Sequence, residues 1–152
     1  MTFEYKDIVV AVDGSETAEG AFKKAIDIAN RNDAKLVLAH VVDTRAFATV
    51  EAYDRSLAIR AEKYATDLLN DYKSKAEKAG VTNVEIVVEY GSPKIKIAKD
   101  VAPKHNADLI ICGATGLNAM ERFFIGSVSE HITRYATCDV LVVRPEKPVV
   151  EE

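Results

Sequence analysis

Five short apolar runs, separated by stretches of helical periodicity, set the tightest limit on what this chain can fold into. They are read as strands over Tyr5–Asp13, Lys35–Val42, Asn83–Tyr90, Asp108–Gly113 and Asp139–Arg144. Runs such as Ile8-Val9-Val10-Ala11-Val12 and Leu109-Ile110-Ile111-Cys112 hold too few polar residues for a sheet with one wet face. Strands that alternate with helices join by right-handed crossovers into a parallel sheet covered on both faces. The expectation is one α/β domain over residues 1–145, a single five-stranded parallel sheet in the Rossmann-like order 3-2-1-4-5, with residues 146–152 as a polar tail. In that order the winding reverses between strands one and four. Ligands of open α/β sheets bind in the crevice at such a switch, which Asp13 and Gly113 would flank.

The helical stretches carry their own punctuation. Ser15 is a natural N-cap for a helix to about Asn30, with Ala21, Phe22, Ala25, Ile26 and Ala29 on one face. A long helix is read from about Thr49 to Ala79, with Leu57, Ala61, Tyr64, Leu68, Tyr72 and Ala76 recurring at three- and four-residue steps. Gly80 stops it, and up to Tyr53 an ordered loop fits equally. Ser92-Pro93 opens a third helix to about Lys104. A fourth is read over Gly126–Ala136, with Val128, Ile132 and Tyr135 inward.

At 152 residues, 48% hydrophobic and 29% charged, the sequence can bury a substantial core. No apolar run is long enough for a membrane span and no charged-then-apolar leader opens the sequence, so a cytoplasmic protein with no membrane partner is expected. The net charge of −4 provides no basic surplus, and nucleic acid is not expected as a partner. Cys112 and Cys138 have no ligand-like spacing. They are expected as reduced core thiols, and no metal site is expected.

The stretch from Gly113 to His131 concentrates the chemistry. It reads Gly113-x2-Gly116-x9-Gly126-Ser127, placed between a strand and a helix. Glycines at a strand exit allow a sharp turn and a close approach to the main chain. A helix that opens with Gly-Ser presents free N–H groups, the positive end of its dipole and a hydroxyl to one spot, which suits phosphate. The alternative is that the glycines only turn the chain and that Ser127 with Glu130 forms a capping box.

These residues resemble the universal stress protein family, in its ATP-binding branch. The resemblance rests on the ungapped Gly113-x2-Gly116-x9-Gly126-Ser127, on Ile8-Val9-Val10-Ala11-Val12-Asp13 followed by Gly14-Ser15, on Leu38-Ala39-His40-Val41-Val42-Asp43 and on Val140-Leu141-Val142-Val143. It covers nearly the whole chain and implies a fold like that of the adenine nucleotide alpha hydrolases. It implies that Gly113, Thr115, Gly116, Gly126, Ser127, Val128 and Ser129 line the phosphates and ribose of ATP, with Mg²⁺ carried by the nucleotide. By the same resemblance Asp13 faces the sugar, the Val41 backbone meets the adenine edge and Ala11 lies beneath the nucleoside. It further implies a homodimer through strand 140–143, an apolar edge that invites pairing. Such proteins usually have a proline after the cysteine, where Asp139 follows Cys138 here. Arg122 is the cation of an apolar loop that includes Met120, Phe123, Phe124 and Ile125; it reaches a terminal phosphate or stays solvated.

No Gly-x4-Gly-Lys-Ser/Thr loop and no Gly-x-Gly-x-x-Gly after strand one is present. His40, His105 and His131 have no legible spacing to a nucleophile and are read as structural. The expected function is a nucleotide-occupied regulatory module of the stress response, without a catalytic residue. The alternatives are a slow ATP hydrolase or phosphotransferase using the same site, and a dimeric scaffold without nucleotide.

Overall fold

A computed structural model describes residues 4–44, 55–114 and 125–145. The strands are β1 (Asp7–Ala11), β2 (Lys35–Asp43), β3 (Val84–Gly91), β4 (Leu109–Gly113) and β5 (Asp139–Val143). All neighbours pair in parallel, in the order β3-β2-β1-β4-β5. The doubly wound sheet expected from the sequence is therefore the one that forms. The expected beginning of the long helix, Thr49–Asp54, and the tail 146–152 lie outside the described residues.

Helix α1 (Glu16–Asn32) starts where Ser15 Oγ accepts the Ala18 N–H at 3.1 Å, with Glu16 and Glu19 favouring the positive end of its dipole. It ends at Asp33, which takes the left-handed conformation at φ 54°. Helix α2 (Arg55–Lys78) covers the same face of the sheet. Together they enclose Ile8, Val10, Leu36, Leu38, Leu109 and Ile111 against Ala21, Phe22, Ala25, Leu69, Tyr72 and Ala76.

The opposite face is covered by α3 and α4. Helix α3 runs through Pro93–Lys96, widens into a π-turn at Ile97–Val101 and ends with Ala102–Lys104. Pro103 has no N–H for the Lys99 carbonyl and its ring crowds that oxygen, which accounts for the wider turn. Helix α4 is Ser127–Tyr135. Val9, Val37, Ala39, Val41, Ile110 and Cys112 pack here against Ile97, Val101, Ala102 and Ile132.

Three sequence expectations need correction. The buried line of α2 is Ala65, Leu69, Tyr72 and Ala76, whereas Tyr64 is 54% exposed. The expected stripe took its three-residue step at Ala61–Tyr64, whereas the buried line takes it at Leu69–Tyr72, so the two coincide only from Tyr72 onward. Tyr135 is likewise exposed, its ring lying 4.5 Å from the Lys99 ammonium in a cation–π contact. Strand β1 is shorter than expected because side chains take over its flanks: the Asp108 carboxylate accepts the N–H groups of Lys6 (3.0 Å) and Asp7 (3.2 Å), and Asn32 Oδ1 accepts that of Tyr5.

Candidate functional site

At the exit of β4 the backbone is pinned on three sides. The Ala114 N–H donates to the Val143 carbonyl at 2.8 Å, and the Gly126 N–H donates to the Ala114 carbonyl at 2.7 Å. Ser129, only 3% exposed, directs its hydroxyl to the carbonyls of Gly113 and Ala114. These bonds fix the start of α4 against the end of β4. Gly126 is the N-cap, and the first intrahelical bond runs from the Glu130 N–H to its carbonyl at 3.0 Å. The N–H groups of Ser127, Val128 and Ser129 precede that bond and have no partner within the helix. Ser127 is exposed at the first helical position, and Val128 packs half-buried on the α3/α4 core. The capping-box alternative does not form: the cap is a glycine, and the Glu130 carboxylate binds Arg134 at 3.0 Å instead.

Gly113 has a structural reason to be glycine that spacing did not reveal. A Cβ there would stand 2.7 Å from Thr17 Oγ1 and 2.8 Å from both the Cβ and the backbone carbonyl carbon of Thr17. The close approach at this strand exit is made by the first turn of α1.

Across the switch, Ala11 ends β1 half-buried on the α3/α4 side. Asp13 follows, and its Oδ1 accepts the Ser15 N–H at 2.9 Å, which shapes the turn into α1. Gly14 adopts φ 86°, and a Cβ on it would meet the Tyr64 hydroxyl at 2.6 Å. Tyr64 thus leaves the core to cover this turn, with its ring edge-on to His40 at 6.2 Å between centroids.

The ladder between β1 and β2 stops at the same level. Ala11 pairs with Ala39, and the last bond on that side runs from the Val12 N–H to the Ala39 carbonyl at 2.8 Å. In a parallel ladder alternate residues point their N–H and C=O groups to the same neighbour. Leu36 turns to β3, donating to the Asn83 carbonyl, so Ala39 and Val41 turn to β1. Val41 therefore aims its main-chain donor and acceptor into the gap where β1 has ended.

The histidines are engaged structurally. His40 Nδ1 lies 2.7 Å from the Val12 carbonyl, His131 Nδ1 lies 3.0 Å from the Ser127 carbonyl, and His105 faces Glu85 at 4.0 Å. Cys112 and Cys138 are both free thiols. Burial pushes the Cys112 thiol up to about 11, against a smaller opposing effect of the Ser129 hydroxyl. Cys138 is half-buried rather than in the core, and burial first, then Asp108 and Asp139, raise its pKa.

Of the residues singled out by sequence, Ala11, Asp13, Val41, Gly113, Gly126, Ser127, Val128 and Ser129 gather at the carboxyl ends of β1, β2 and β4. Thr115, Gly116 and Arg122 lie outside the described residues. Sequence reasoning missed Thr17 and Tyr64, whose parts depend on what stands opposite them in space. Among the described residues no group of three or more His, Cys, Asp or Glu could hold a metal ion, and no helix is long and apolar enough to cross a membrane.

The profile of the "Universal stress protein family" matches residues 4–144. A Staphylococcus saprophyticus protein named as a universal stress protein is 53% identical over 143 residues, covering 94% of this chain and 86% of the relative. Among solved structures, a universal stress protein of Lactobacillus plantarum superposes with a TM-score of 0.84 at 34% identity, covering 94% of this chain and all (100%) of the other. A universal stress protein in complex with cAMP superposes with a TM-score of 0.71 at 26% identity, covering 95% and 100% of the two chains. The sheet order, the spaced glycines and these likenesses over nearly the full length agree: this chain belongs to the universal stress protein family.

Proposed function

We propose that the protein binds ATP in the crevice between β1 and β4, and that nucleotide occupancy regulates what its surface presents to partners in the stress response. The observation that carries this reading is the meeting, at the switch point, of the Asp13 carboxylate with the N–H groups of Ser127–Ser129, which have no partner within their helix. Phosphate is suited to the helix end, where main-chain donors and the dipole favour negative charge. A carboxylate repels phosphate but accepts from ribose hydroxyls, so Asp13 belongs to the sugar end. Val41 supplies a main-chain donor and acceptor for the adenine edge, with Ala11 beneath the nucleoside. Gly113 and Ser129 would act mainly by shaping the wall, while Thr115, Gly116 and Arg122, outside the described residues, are proposed as further phosphate contacts. The family member in complex with cAMP supports an adenine nucleotide as the ligand class.

No catalytic residue is assigned. Mg²⁺ would arrive with the nucleotide, and an ATP site implies the cytoplasm as the place of action. The half-buried Val140, Leu141 and Val142 on edge strand β5 support a homodimer made there. Calorimetry with Mg·ATP on nucleotide-free, folded protein tests the reading. One molecule bound per chain is expected, and no heat of binding would refute it. Repeated turnover with phosphate release, lost in Asp13→Ala or Ser127→Ala, would reassign the protein as a hydrolase.

A further inference from the structure

We propose that His40 is a positioning residue for the nucleotide base, acting by keeping the Val12 carbonyl away from Val41. The inference rests on the ATP reading above for its function, but its structural half stands by itself. A carbonyl can only accept, so the 2.7 Å contact has His40 Nδ1–H donating to the Val12 oxygen. That oxygen is the acceptor which the next rung of the ladder would use. With Ala11 opposite Ala39 and the Val12 N–H bonded to Ala39, a continued β1 would pair the Val41 N–H with the Val12 carbonyl. The imidazole takes that acceptor, and the chain turns away through Asp13 and Gly14 into the Ser15 cap.

The ring is itself held in place. Tyr64 stands edge-on to it, and the Tyr64 hydroxyl fills the space beside Gly14, where φ is 86°. His40 thus closes the β1–β2 ladder at Val12 and leaves the next main-chain donor and acceptor on that side of β2, those of Val41, facing the crevice. An adenine edge offers a complementary acceptor and donor. A histidine on the opposite face of the sheet from α4 would in this way govern base binding without touching the base.

The test combines amide hydrogen exchange with binding. In nucleotide-free wild type the Val41 amide is expected to exchange as an open group, and the His40 ring to carry its proton on Nδ1 by ¹⁵N NMR. In His40→Leu, with folding checked by circular dichroism, the Val41 amide should gain protection as it pairs with Val12. ATP affinity should fall about tenfold, the loss of about one good hydrogen bond, while inorganic tripolyphosphate binds as before. A Val41 amide already strongly protected in the wild type, or a ring protonated on Nε2 instead, would overturn the proposal whether or not the variant folds. So would an unchanged ATP affinity in the variant, or a parallel loss of ATP and tripolyphosphate. If wild type binds neither ligand, the ATP reading fails, and the exchange and ¹⁵N measurements still decide whether His40 closes the ladder.

Discussion

Replacing Gly113 with alanine should destabilise the protein by about 1–3 kcal/mol, the usual range for forcing a methyl into a filled site. The new Cβ would lie 2.8 Å from the backbone carbonyl carbon of Thr17 and 2.8 Å from its Cβ, so rotating a side chain cannot relieve the clash. Either α1 or the end of β4 must move. Gly113 is not in the left-handed region, so the penalty is one of space and not of backbone conformation. Gly20 is the internal control. It lies within α1, and a Cβ there would meet Val143 Cγ1 at an ordinary 3.9 Å, so Gly20→Ala should stabilise by about 0.5–1 kcal/mol through helix propensity. Urea unfolding followed by circular dichroism separates the two, with melting shifts of roughly 2–4 °C per kcal/mol for a chain of this size. Thr17→Ala removes Oγ1 but leaves the two atoms at 2.8 Å, so adding it should recover less than about 0.5 kcal/mol. A Gly113→Ala protein within about 0.5 kcal/mol of wild type, or one fully rescued by Thr17→Ala, would refute the argument.

Asp108→Ala should cost about 1–3 kcal/mol by urea unfolding, because the carboxylate receives the N–H groups of both Lys6 and Asp7 where no strand neighbour does. At pH 8 the Cys112 thiol, pushed up to about 11 by burial, should be ionised in only about one molecule in a thousand. A maleimide or disulfide reagent on the folded protein should therefore label Cys138 first; faster labelling at Cys112 would contradict this. The Lys35 ammonium, 2.7 Å from Glu85, lowers the Glu85 pKa, chiefly through its hydrogen bond. A depressed carboxyl stabilises the fold above its unfolded pKa, and that contribution is lost as pH falls through the folded pKa. Lys35→Met should raise the Glu85 pKa measured by NMR titration and flatten this part of the acid limb. The effect should be small, since both groups are partly exposed.

The sheet was legible because its central strands, β1, β2 and β4, are mostly β-branched and aliphatic runs. Burial on both faces leaves such a run few alternatives, and the crossover rules then limit the order. The site was legible where it depends on local chain chemistry, as with Gly126-Ser127 opening a helix and Asp13-Gly14-Ser15 turning into another. It was illegible where the cause lies across space. Gly113 looked like a ligand's approach path, yet Thr17 fills the space beside it. Ser127 and Glu130 have capping-box spacing, but Arg134 holds the glutamate and the cap sits one residue earlier. Tyr64 matched an apolar stripe and instead leans over a turn in β1's wake. His40 looked like a bystander in a strand because nothing in its neighbours says where the ladder beside it stops.

The bond from the Gly126 N–H to the Ala114 carbonyl has a bearing on how this family can diversify. It holds together Ala114 and Gly126, the two residues from which residues 115–125 depart and return. With those flanks joined, each doubling of the length between them adds only about 0.6 kcal/mol of closure entropy. Relatives are therefore expected to vary in length at that stretch, where a main-chain bond already joins the two flanks.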